Sequence, residues 1–413
     1  MTPDPKRWWI IILIAIVTVI NYVDRTSLSV MWTAVSADLQ LSKEDYASIV
    51  SMFMVMYGLG QAGSGRVFDK LGTRVGFVLF VAVWSLACMG HGMAGGLAGL
   101  LGLRAVLGFS EAGNWPGGTK AVAEWFPRQE RALAQGIFNA GSSFGAVISA
   151  PLIALLFSSF GWRPTFILLG VLGFVWTVPW WIGMRGATAP AQETATGIAG
   201  EDRALTWREI FSHRQAWGIF MARFFMDPIW WLFVNWLPIL LAERFGFDIK
   251  SIGLFAWVPY LGAVIGSIGG GWLAGFWMKR GWSVNRARKT VITLGAAMTL
   301  PGFVLAAITS DPLTAVLAMA LVLCGFQVAM NNIQTLPSDF FSGKSVGTAS
   351  GMGGLFAVLG VLVFSTWLVP VISQVSYLPV FVMGSLFAPC GLVMLVWLCG
   401  EVRPLETRGR RPL

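Results

Sequence analysis

The chain has 413 residues, 56% hydrophobic and only 12% charged, with a mean hydropathy of +0.69 and a formal net charge of +9. Soluble proteins carry about 25% charged and about 45–50% apolar residues, so a water-soluble enzyme and a disordered chain are both excluded. The apolar runs are long and unbroken, which excludes an outer-membrane barrel of alternating segments of about ten residues.

Crossing a bilayer takes about 20 apolar residues. Twelve runs qualify, at roughly 8–34, 46–66, 75–95, 97–125, 131–160, 163–184, 214–241, 251–277, 289–309, 312–335, 345–373 and 377–399. The first has a signal-like start, with Lys6 and Arg7 before the apolar run Trp8 to Ile20. Its first small-residue site, Val35-Ser36-Ala37, lies too far beyond that run for cleavage, so the segment is expected to remain. The longest polar stretch, 185–213, divides the chain into a six-helix bundle over 1–184 and another over 214–413.

If the chain starts in the cytoplasm, 21 of the 29 basic residues fall on the cytoplasmic side, four outside and four within spans. That asymmetry is the positive-inside pattern, so the +9 needs no nucleic-acid partner. Trp8, Trp9, Trp162, Trp180 and Trp181 sit near span ends, where indole rings anchor at the interface. The four cysteines show no CxxC spacing, and His91 and His213 lie at segment ends and read as interfacial. Neither a metal centre nor a cofactor is expected.

Two stretches after spans two and eight echo each other, Gly65 to Arg74 and Gly271 to Gly281, with first glycines 206 residues apart. Gly136 and Gly351 match loosely at a separation of 215. Two repeating halves are the usual build of secondary transporters. The Gly65–Arg74 stretch reads as a loop, and Asp69 is a candidate to hold a gate shut by pairing with a helix end or an arginine.

Charges inside spans cost at least about 2.5–3.5 kcal/mol each near a helix centre, so they mark function. The first span holds Asn21, Asp24 and Arg25, with Asn21 and Arg25 one turn apart. The fourth holds Arg104 and Glu111 on one face, and the seventh holds Arg223 and Asp227 before a helix break at Pro228. The six charges cancel, and protonating one carboxylate leaves +1 in a low-dielectric cavity that suits an anion. Internal ion pairs are the bland alternative, but buried pairs stabilise poorly. Lys120 and Glu124 read as a snorkelling pair.

Tyr22, Tyr57, Asn139, Ser142, Ser143, Asn235, Tyr260, Asn331, Asn332 and Gln334 add hydroxyl and amide groups within apolar runs, suited to a polyhydroxylated ligand or to helix contacts. Trp230, Trp231 and Trp236 could stack on a sugar ring or face lipid. No Walker-type Gly-Lys-Ser/Thr appears, so an ion gradient is the expected energy source.

Gly65, Asp69, Lys70, Gly72 and Arg74 resemble the inter-span signature of the major facilitator superfamily. Asn21-Tyr22-Val23-Asp24-Arg25 resembles the first-helix motif of its anion:cation symporter family. So does the block from Arg104, Gly108, Glu111, Pro116, Lys120 and Glu124 through Arg131 to Gly136, Asn139, Ser142 and Gly145. Asp227-Pro228-Ile229-Trp230-Trp231 and Trp236-Leu237-Pro238 are similar to the hexuronate, or sugar-acid, transporter branch. The resemblance implies twelve transmembrane helices in two pseudo-symmetric bundles. It implies a proton-coupled symporter importing a small organic anion, a hexuronate or aldonate, by alternating access. Asp24 and Glu111 would carry protons, Arg104 would tune Glu111, and Arg25 would hold the substrate carboxylate. Relatives often have Lys where Arg223 stands, which leaves the ligand open.

Substrate contacts are expected from Arg25, Tyr22, Tyr57, Asn139, Ser142, Arg223, Trp230, Asn235, Tyr260, Asn331 and Asn332. Gating is expected from Gly65, Asp69, Lys70, Gly72, Arg74 and Arg131. A monomer in the bacterial inner membrane, with both termini cytoplasmic and the bilayer and protons as partners, completes the expectation. The alternatives are another carboxylate (aldarate, tartrate, aromatic or short-chain acid), or an exporter of the same fold, against which three buried Arg speak. A membrane enzyme lacks any nucleophile–base or metal constellation, and no channel filter is visible.

Overall fold

The computed structural model describes residues 5–185, 204–248, 251, 255–373 and 377–405. Its first half comprises α1 (Lys6–Leu39), α2 (Lys43–His91), α3 (Leu97–Glu111), α4 (Asn114–Trp125), α5 (Arg128–Phe160) and α6 (Trp162–Gly183). The second half comprises α7 (Trp207–Ser212), α8 (Arg214–Phe245), α9 (Val258–Lys279), α10 (Val284–Ile308), α11 (Pro312–Phe340) and α12 (Val346–Val361). A π-helical stretch (Leu362–Leu368), α13 (Val369–Ser373) and α14 (Leu378–Cys399) follow. Most of the expected linker, 186–203, lies outside the described residues; its end holds α7, opened by a capping box between Thr206 and Glu209.

Twelve transmembrane passes result. Among the described residues nine helices have the length and hydropathy to cross a membrane, ten with the bent α8. α2 contributes two passes and α3 with α4 one more. The supposed loop after span two is helical almost throughout: the chain reverses at Gly72 alone, whose φ of 74° and ψ of 169° suit glycine. The fourth span is two helices rather than one. Pro116 has no N–H for the Ala112 carbonyl, and the helix breaks there, just past Glu111. Conversely, α8 runs on through Pro228 and bends by 65° between Val234 and Ile239.

Each half has its own apolar core. One is built on Val17, Phe77, Trp84, Phe166 and Trp180, the other on Phe220, Met226, Leu241, Phe303 and Leu323. The halves meet through α2 against α12 and α5 against α9. These contacts are backbone-close. A Cβ at Gly65 would collide with the Gly347 carbonyl, and one at Gly271 with the Ala132 carbonyl. The N-terminal, basic end of the molecule is tightly joined. At mid-depth the halves enclose a polar cavity.

Candidate functional site

Arg25 sits on the cavity wall where α1 faces α3. Its Nε donates to Glu111 Oε2 at 3.1 Å and its Nη2 to Asn21 Oδ1 at 3.0 Å, one turn back as the spacing predicts. Asn21 Nδ2 in turn donates to the Glu111 carbonyl at 3.3 Å, a carbonyl freed by the end of α3. The guanidinium lies over Tyr57 (4.6 Å), Tyr22 (5.0 Å), Phe53 (5.4 Å) and Trp231 (5.7 Å), so rings from both halves surround it. The pair is deeply buried, with side chains 9% and 0% exposed. Yet it is a single contact, not a two-pronged one, and Glu111 Oε1 has no hydrogen-bond partner among the described residues. Buried ion pairs are useful to stability only when fully satisfied, so this one is poorly built as a strut.

Asp24 departs from its expected place. It is 1% exposed and turned away from Arg25, toward α2 and α6, where Cys88 Sγ lies 3.6 Å from its Oδ1. Successive helical residues differ by about 100°, so neighbours in sequence need not share a face. Arg104 donates to the Arg25 carbonyl at 3.2 Å and makes no ion pair with Glu111 within 4 Å. His91, expected at an interface, is fully buried and stacks on Phe166 at 5.1 Å.

The opposite wall comes from α8 and α11. Arg223 holds Asp227 with two hydrogen bonds, Nε to Oδ2 at 3.1 Å and Nη2 to Oδ1 at 3.3 Å. Trp230 Nε1 donates to Tyr22 Oη at 3.0 Å, tying α8 to α1 across the cavity. Asn139 and Ser142 also line the cavity. Asn139 is already bonded across the halves to Asn331 and Gln334, the latter at 2.7 Å, and Ser142 donates to the Asn139 carbonyl at 2.6 Å. The space open to the centres of water-sized spheres between these walls is about 50 Å³.

Three expected contacts do not reach the cavity. Tyr260 packs on Trp230 with ring centroids 5.6 Å apart. Asn331 donates to the Ser267 carbonyl at 2.7 Å, and Asn332 to the Gly270 and Val328 carbonyls at 3.3 and 3.0 Å. They join helices. The Asn235 side chain lies outside the described residues. Sequence reasoning missed Gln61, Trp115 and Gln327 on the wall. Their signal, a polar or aromatic group in an apolar run, was present but not distinctive.

The basic end is closed by hydrogen bonds between the halves. Asp69 accepts from the Gly347 N–H at 3.0 Å, the Thr348 N–H at 2.6 Å and Thr348 Oγ1 at 2.6 Å. It thereby caps the first turn of α12, where unpaired N–H groups favour an anion. Lys120 does not snorkel: its side chain is 5% exposed, 3.1 Å from Asp69 and 3.3 Å from Glu124, and donates to the Gly343 carbonyl at 2.9 Å. Arg131 donates to the Ser338 carbonyl at 2.7 Å, and Asp339 pairs with Arg288 at 2.9 Å. Lys70 is exposed, and Arg74 lies over Trp181 at 4.0 Å, so neither bridges the halves. Arg288 and Asp339 were not anticipated.

Comparison with known proteins places this architecture. The sequence profile of the Major Facilitator Superfamily matches residues 14–365. The chain is 31% identical to the hexuronate transporter of Escherichia coli K12 over 96% of its own length and 95% of the relative's. It is 34% identical to the galacturonate transporter of Dickeya chrysanthemi over 72% of its length and 90% of the relative's. It is 29% identical to a probable galactarate/D-glucarate transporter of E. coli K12, covering 97% and 96%. Among solved structures, a proton:xylose symporter aligns with a TM-score of 0.72 at 14% identity, covering 96% of each chain.

Proposed function

The chain belongs to the Major Facilitator Superfamily, and from that premise we propose that it is a proton-coupled symporter importing a sugar acid, a hexuronate or aldonate, by alternating access. One observation carries the reading. Arg25 faces the cavity while its counter-ion, Glu111, is a half-satisfied carboxylate behind it. When Glu111 takes a proton, the ion pair is lost and Arg25 gains a free prong for a substrate carboxylate. When Glu111 releases the proton, the pair re-forms and the empty carrier can return. Asp24, out of contact with Arg25 and 3.6 Å from Cys88 Sγ of α2, would act as a second protonation site.

The two halves serve as the moving bodies. Alternating access has them part at one end to admit the cargo and at the other to release it. The Asp69 and Arg131 contacts are the bonds that would break on opening the basic end. The positive-inside pattern supports a cytoplasmic setting for that end, and the proposal is of a monomer in the bacterial inner membrane. The relatives that transport hexuronate and galacturonate support a sugar-acid cargo.

Uptake into proteoliposomes tests the coupling. Glu111→Gln mimics the protonated acid, so gradient-driven accumulation of galacturonate should vanish while counterflow exchange persists. Loss of both would remove Glu111 from the coupling role.

A further inference from the structure

Family membership leaves the cargo's second end undefined, because similar chains include both a galacturonate transporter and a probable galactarate/D-glucarate transporter. Galacturonate has one carboxylate. Galactarate has one at each end. The charged side chains on the cavity wall, among the described residues, are Arg25, Arg223 and Asp227.

The two arginines are held differently. The carboxylate that holds Arg25 is fully buried behind the wall, whereas Asp227 is itself part of the wall, its side chain 15% exposed. Arg223 also gives two hydrogen bonds to Asp227, from one turn away on α8, so its planar fork is already filled by that neighbour. The same cavity wall carries amides: Gln61, whose Oε1 has no hydrogen-bond partner among the described residues, Gln327, and Gln334, whose Oε1 accepts from Gln135 and Asn139. A carboxylate on a wall that also carries amides accepts hydrogen bonds from hydroxyl groups. The same carboxylate repels a second acid group in a low-dielectric site.

We infer that Asp227 is a specificity-determining residue that reads the hydroxylated end of the cargo and rejects a second carboxylate there, so that the transporter takes monocarboxylate sugar acids and excludes dicarboxylates. The inference rests on the proposed sugar-acid function, with Arg25 taking the single carboxylate. It works by repulsion of the competitor as much as by attraction of the cargo. Asp227→Asn releases Arg223, which becomes a ready partner for the second acid.

Galactonate and galactarate form a matched pair, differing at one end by a hydroxymethyl group against a carboxylate. Each competes, unlabelled, against counterflow of labelled galactonate in proteoliposomes. In the unmodified protein galactarate should compete about a hundredfold more weakly. Asp227→Asn should narrow that gap by about tenfold or more, equivalent to ~1.4 kcal/mol. The double variant Asp227→Asn/Arg223→Gln should lose that gain, because the second carboxylate then finds no cation. Equal competition by the two acids in the unmodified protein overturns the inference, and this result needs no variant to fold. So does an unchanged gap in an Asp227→Asn protein that still exchanges galactonate. If the unmodified protein carries no sugar acid yet exchanges a short-chain carboxylate, the proposed function itself falls, and the inference falls with it.

Discussion

Asp69→Asn should open the basic end. The Asp69 carboxylate makes three hydrogen bonds into the first turn of α12 and one ion pair with Lys120, all within the range 2.6–3.1 Å. Bonds to a charged group contribute about 1.5–3 kcal/mol each, and a carboxylate at a helix N-terminus about 0.3–1 kcal/mol more. Asparagine keeps the shape and one acceptor oxygen but loses the charge, and its NH2 faces donors. A net loss of about 3 kcal/mol from the closed state is reasonable, close to two powers of ten in the closed-to-open ratio. Spin labels on the exposed Leu71 of the first half and Lys344 of the second report the separation by pulsed electron resonance. Cys88 and Cys399 are buried, so replacing the half-buried Cys324 and Cys390 makes labelling selective. The short-distance population should dominate in the parent and fall to a minority in Asp69→Asn. An unchanged distribution in a folded variant would refute Asp69 as the latch.

Other substitutions separate the cavity from the gate. Arg25→Lys replaces a planar fork that reaches Glu111 and Asn21 together by a point charge, so galacturonate affinity should fall about ten- to a hundredfold in equilibrium binding. Gly65→Ala places a methyl group against the Gly347 carbonyl, so the same spin-label pair should show the basic end held apart while binding persists. Arg288→Met leaves Asp339, 1% exposed, with only the 3.8 Å contact to Arg131 as an ion pair among the described residues. It should cost about 3 kcal/mol in detergent-solubilised unfolding, and Arg288→Met/Asp339→Leu should recover much of it. Tyr22→Phe removes the Trp230 acceptor and should lower affinity by less than tenfold, measured by binding.

What the sequence disclosed, and what it hid, divides along a physical line. Whether a segment spans a bilayer depends on its own composition, so the passes were legible with errors only where a single residue decides. Gly72 turned an expected loop into a helical corner, and Pro116 cut one expected helix in two. Contacts within one helix were also legible: Asn21 with Arg25, and Arg223 with Asp227, are set by the 3.6-residue period. Contacts between helices were not, because periodicity fixes a residue's face on its own helix but not how that helix is rotated against its neighbours. Lys120 shows the consequence. Its nearest carboxylate in sequence is Glu124, which suggested a surface pair, yet its closer partner is Asp69, 51 residues away. The same indeterminacy spread substrate contacts onto Asn331 and Asn332, whose amides are consumed by helix carbonyls. Asp24 is a different case: it looks away from Arg25 because successive residues of one helix turn by about 100°, which the period itself contains. A buried polar residue therefore becomes a site candidate only after its hydrogen bonds are counted. By that count Arg25–Glu111 and Arg288–Asp339 each leave one carboxylate oxygen without a hydrogen bond among the described residues, and what separates them is place: Arg25 faces the cavity, whereas Arg288, at the closed end, is also bonded to Asn332 and the Arg128 carbonyl, and Asp339 lies 3.8 Å from Arg131.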